Sequence, residues 1–245
     1  MPDTGTPLGR RSIMPDVTIG TSDGEFSAYL AAPADDNGPG ILVIQEIFGV
    51  NDDMRDHCDR LASQGYFALC PDLFWRQEPG VQLTDQSEAE WARAFEFFQG
   101  FDVAAGVTDL KASLEYLRDL DGCTGRAGTV GFCLGGKLVY LMACRSDADC
   151  NVAYYGVGLD ELLDEAPHIT TPTILHVAEE DEFVSKEAQA KINESLSGHP
   201  CVTIYNYAGA NHAFARHNGV HYHEQAATLA DERTTKFFED NLDGH

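Results

Sequence analysis

The sequence predicts an α/β architecture: a mostly parallel central sheet with helices on both faces. Three observations carry this. Short continuous apolar runs such as ILVIQ (Ile41–Gln45) suit strands covered on both sides. Segments of helical period alternate with them along the chain. At Thr129–Met142, TVGFCLGGKLVYLM, an apolar run turns sharply on glycines and becomes a second apolar run, with Cys133 at the apex.

In order, VTIG and EFSAYLAAP flank SDG, where Asp23-Gly24 supplies the turn of a hairpin. After ILVIQ, Asn51 or Asp52 can cap a helix that runs to about Gln64 and stops at Gly65. YFALCPDLF is the next buried strand, ended by Pro71. Residues 75–85 are loop-like, then EAEWARAFEFF and VAAGVTDLKASLEYLRDL read as helices. TVGF is a strand, GGKLVYLMA a helix, and NVAYYGVG and TILHVA are strands. SKEAQAKINESL is a helix, CVTIYNYA the last strand and HYHEQAATLADERTTKFFEDNL the terminal helix. No repeat or linker divides the chain. Residues 1–15 are expected to form a flexible extension and 16–245 a single domain.

The formal net charge of −24, from 40 acidic and 16 basic side chains, argues against nucleic acid or an anionic membrane as partner. A dense carboxylate surface fits either a high-salt habitat or an ordinary acidic enzyme. No apolar run reaches membrane-spanning length, and the N-terminal basic pair has no apolar core behind it, so a cytoplasmic protein is expected. Seven cysteines without a CxxC pair read as free thiols. No nucleotide-binding glycine motif occurs, and His217, His221 and His223 fit no standard zinc spacing, so neither metal nor cofactor is expected.

Gly131-Phe132-Cys133-Leu134-Gly135 is a G-x-C-x-G nucleophile elbow. Its glycines relieve crowding where strand meets helix, and the turn aims the thiol along a helix N-terminus, which favours thiolate. The alternative is a glycine-rich turn around a packed cysteine. Such a nucleophile wants an acid and a base after it in the chain. Asp181 follows a strand, with Glu179, Glu180 and Glu182 as rivals, and His212 follows the last strand. His176, inside a strand, reads as a satisfied core residue.

Six motifs now fall in order: Gln45-Glu46-Ile47-Phe48-Gly49, Cys70-Pro71-Asp72-Leu73, the elbow through Gly136, Tyr154-Tyr155-Gly156-Val157-Gly158, Asp181-Glu182-Phe183-Val184, and Asn211-His212-Ala213-Phe214-Ala215-Arg216. Over about Asp16 to Leu242 the chain resembles the dienelactone hydrolase (carboxymethylenebutenolidase) family of the α/β-hydrolase superfamily. The resemblance favours Asp181 over the neighbouring glutamates. It implies hydrolysis of a small unsaturated lactone, dienelactone to maleylacetate, by a cofactor-free monomer with Cys133 as nucleophile, His212 as base and Asp181 orienting it. It implies an oxyanion hole of Leu134 and Ile47 backbone N–H groups. It also implies that Glu46 contacts the resting thiol and is displaced when substrate binds; on residues alone, Glu46 could equally be a solvent-facing strand end.

Arg216 is expected to meet a substrate carboxylate, with a surface arginine as the alternative, and Phe48 and Tyr155 are expected to line the substrate site. The family's second substrate arginine falls at Trp91 and a neighbouring tyrosine at Phe95, which opens the way to a larger or less acidic lactone or ester. The aromatic cluster Trp91, Phe95, Phe97 and Phe98 lines the pocket or packs a helix face, the commoner use of such spacing. A general esterase or thioesterase on the same triad, and a redox-sensing thiol protein, are the competing functions.

Overall fold

The eight strands form one sheet in the order β1-β2-β4-β3-β5-β6-β7-β8 in the computed structural model, which describes residues 16–243. The proposed extension, residues 1–15, lies outside the described residues. β1 (Val17–Thr21) and β2 (Gly24–Ala31) are the expected hairpin, and β2 also pairs antiparallel with β4 (Phe67–Pro71). All remaining pairings, among β4, β3 (Gly38–Ile44), β5 (Cys123–Phe132), β6 (Asn151–Tyr154), β7 (Thr173–Ala178) and β8 (Val202–Tyr207), are parallel. Every residue of β3 and β4 is buried, which is why they read as unbroken apolar runs.

The first helix starts just after Asn51, one of its two expected caps. Asn51 accepts the Met54 N–H at the head of α1 (Asp52–Ser63), and Gly65, at φ +99°, takes the left-handed turn beyond its end. Ser87 and Asp102 cap α2 (Glu88–Gln99) and α3 (Val103–Arg118). Ser185 caps α5 (Lys186–Leu196). α4 (Leu134–Arg145) is buried along almost its whole length against β5 and β6. α6 runs over Glu224–Leu242, starting three residues later than expected because the His223 ring accepts the Ala226 N–H and acts as the cap. Two short 3-10 helices at Leu159–Glu161 and Leu163–His168 complete the β6–β7 connection.

The order reverses around β3, so the loops leaving the carboxyl ends of β3, β5, β6, β7 and β8 gather at one edge of the sheet. In open parallel sheets that edge is where ligands bind. Two side chains brace it. Gln45 accepts the Leu73 N–H, and Asp72 accepts those of Phe74 and Gly80, tying the loop after β4 to the end of β3.

Candidate active site

Cys133 caps α4 in a backbone conformation that L-residues rarely adopt, φ +56° and ψ −112°. Crowding enforces the turn. A Cβ on Gly131 would sit 2.4 Å from the Gly135 carbonyl oxygen, and one on Gly135 would sit 2.2 Å from that of Ile44. Both glycines are therefore needed for strand and helix to close on each other, and the strained cysteine is presented between them. Leu134 begins the helix, so its backbone N–H has no intrahelical acceptor.

His212, in the loop after β8, is buried. Its Nδ1 donates to both oxygens of Asp181, at 3.0 and 2.9 Å, and Asp181 lies in the loop just past β7. Asp181 also accepts the Phe183 N–H at 2.8 Å, which fixes its carboxylate. The other imidazole nitrogen, Nε2, is buried without a well-formed hydrogen bond. Burial alone would push the His212 pKa down; the neighbouring Cys133 and the Asp181 carboxylate overcome this and raise it to about 10. None of the rival glutamates bonds the ring; Glu180 pairs instead with Lys186.

Cys133 and His212 line one cavity of about 160 Å³ with Ile47, Phe48, Trp91, Phe95 and Arg216. That is below the ~300–1,000 Å³ of pockets for drug-sized ligands. Larger cavities elsewhere hold none of the elbow, acid or base residues.

The chain belongs to the dienelactone hydrolase family. The family model matches residues 26–242. A carboxymethylenebutenolidase of Pseudomonas putida is 40% identical over 222 residues, covering 90% of this chain and 94% of its own. Carboxymethylenebutenolidase 1 of Cupriavidus pinatubonensis is 38% identical over 213 residues, covering 87% and 91%. A crystal structure from Klebsiella pneumoniae superposes with TM-score 0.80 at 27% identity, covering 91% of this chain and 97% of that one. The protein is thus a hydrolase of α/β-hydrolase fold acting on lactone or ester bonds.

Against that background, three expected site residues sit differently. Glu46 and Arg216, assigned to the thiol and to the substrate, are bonded to each other. Arg216 Nε and Nη2 lie 2.7 and 2.6 Å from Glu46 Oε2, and its Nη1 donates to Asp85 at 2.7 Å. The guanidinium also stacks 4.8 Å over the Phe48 ring. A carboxylate at the end of a buried strand needs such a cation, and Glu46 is indeed buried rather than facing solvent. Its Oε1 is left without a partner. Burial opposes the charge on Arg216, but Glu46, with Asp85 beyond it, holds the guanidinium firmly protonated.

The third is Tyr155, which is absent from the pocket wall. It is buried behind the site, its ring meeting that of His212 edge-on at 5.2 Å. Its backbone has φ +37° at the end of β6, and the rings of Phe132 and Phe214 also pack against it.

Phe98 of the aromatic cluster also lines the pocket and Phe97 does not, while sequence reasoning left Phe183 and Val157, both lining residues, without a role. Phe183 had a visible signal: it follows Asp181 by two residues, so fixing the acid also fixes this ring.

Proposed function

We propose that the chain opens a small unsaturated lactone, of the dienelactone-to-maleylacetate kind, with Cys133, His212 and Asp181 as its triad. The observation that carries this is the state of His212. One nitrogen is held by a carboxylate, while the other is buried, unbonded and in the same pocket as a thiol.

Cys133 sulfur attacks the carbonyl carbon as thiolate, its proton resting on His212. The carbonyl oxygen becomes an oxyanion that accepts from the backbone N–H groups of Leu134 and Ile47; one such donor is worth ~10²–10³ in rate. Collapse breaks the ring C–O bond, and His212 gives its proton to the leaving enol oxygen. A water then attacks the thioester, His212 takes its proton, and the thiolate leaves with a carboxylic acid formed. Asp181 keeps the ring in the required tautomer throughout.

The test follows the ultraviolet absorbance of dienelactone with purified protein. Wild type should consume it, and Cys133→Ala should lower kcat/KM by more than about 10⁴. Full turnover by the variant would refute the nucleophile.

A general esterase on the same triad is the second reading. It is favoured by one observation, the aromatic rings of Trp91 and Phe95 in the pocket wall.

A further inference from the structure

The reaction needs one end of the pocket; the other end is a patch of aromatic rings that the chemistry of acyl transfer does not require. The Trp91 ring centroid lies 5.5 Å from that of Phe95 and 6.4 Å from that of Phe183, each pair inclined by 28°. Phe183 also meets His212 edge-on at 4.8 Å, so the patch is continuous with the base. The Trp91 Nε1–H donates to the Asp85 carbonyl at 3.0 Å, so ring surface is what Trp91 offers a ligand. Phe183 is 44% exposed, which puts an unshielded phenyl ring at the pocket's edge.

The charge at the same site points the same way. Among the described residues, Arg216 and His212 are the basic side chains in the pocket wall. All three guanidinium nitrogens of Arg216 face carboxylates of Glu46 and Asp85. A substrate carboxylate would have to displace one of those partners. The chain's formal charge of −24 adds long-range repulsion.

We propose that the pocket favours, over the carboxylated dienelactone, an unsaturated lactone whose exocyclic substituent is an uncharged aryl ring, with Trp91 and Phe183 setting that preference. The proposal rests on the reading of Cys133 as nucleophile in this pocket. It concerns only what the lactone carries away from the reacting carbonyl. Stacked or edge-on ring contacts discriminate between ligands at the level of about tenfold.

The experiment compares kcat/KM for 4-benzylidenebut-2-en-4-olide and 4-carboxymethylenebut-2-en-4-olide, two lactones that share a ring and differ in the substituent. Wild type should prefer the benzylidene lactone by about tenfold or more. Trp91→Ala and Phe183→Ala should each lower the preference, mainly through KM, and Trp91→Arg should invert it. Phe183, being half-exposed, keeps the test available if the Trp91 variants fail to fold. A wild-type preference for the carboxylated lactone would overturn the proposal, as would equal losses on both lactones in the alanine variants. Cys133→Ala separates the two readings. If it abolishes turnover of both lactones, the triad stands whichever substituent is preferred. If turnover survives, the triad falls while the measured ratio still judges the pocket. No turnover of either lactone by wild type would count against both.

Discussion

His176 and His212 are both buried side chains near the same sheet edge, and they are driven in opposite directions. His176, on β7, has its two ring nitrogens taken by neutral hydroxyls, Tyr207 at 2.7 Å and Thr234 at 3.0 Å. Burial, helped by the charge of Arg233, lowers its pKa to about 3. His212 has a carboxylate on one nitrogen and the Cys133 thiol close by, and its pKa rises to about 10. Burial is common to both, so it cannot be what makes a histidine reactive. What differs is an anionic partner behind the ring and an unbonded nitrogen in front of it.

The largest effect that tests this contrast is removal of each ring in turn. His212→Ala should lower kcat/KM by at least ~10³ while the fold persists, because a triad member lost alone removes most of the triad's contribution. His176→Gln should instead cost about 1–3 kcal/mol of stability through its broken hydroxyl contacts and leave kcat near wild type. Kinetics and thermal melts on the two variants would show whether the roles separate this way.

Next comes the carboxylate. Asp181→Asn should reduce kcat by ~10²–10⁴, since the ring then loses its orienting anion. A proton-NMR titration should show the His212 pKa falling from about 10, with that of His176 unmoved. In wild type the raised pKa stabilises the fold fully below the ordinary histidine range. That contribution is lost as pH rises through about 10.

Glu46→Gln should keep the fold but lower kcat about tenfold or more, because the orphaned Oε1 and the anchor for Arg216 are removed together. A variant with near-normal turnover would strip Glu46 of its role.

The smallest effect is expected at Asp53, whose pKa is raised to about 7 by burial and by the charge of Glu46. The unfolded chain loses this proton near 3.8, so between 3.8 and about 7 the folded state binds more protons and stability falls as pH rises. Asp53→Asn should flatten that fall and gain on the order of 1 kcal/mol at pH 8, read from denaturant melts across the range.

Local features were legible in the sequence and long-range ones were not. The elbow could be read because Gly131 and Gly135 report crowding within five residues of chain. The start of α1 could be read because Asn51 caps an N–H group three residues away. His176 could be placed in the core because it sits inside an apolar strand. The Arg216 partners could not be read, because Glu46 lies 170 positions away and Asp85 131. Both carboxylates reach the guanidinium only after β3 and the loop before α2 meet beside the last loop. The contact of Tyr155 with His212 is long-range in the same way: a motif places the residue at the strand end, and the loop after β8 brings the imidazole edge-on to its ring.

The most direct test of Cys133 as a covalent nucleophile is mass spectrometry of enzyme quenched during turnover of the lactone, followed by peptide mapping. The account predicts an adduct of one opened lactone on the peptide carrying Cys133, accumulating further in His212→Ala if acylation still occurs and absent in Cys133→Ala. Turnover by Cys133→Ala with no adduct on any cysteine would contradict it.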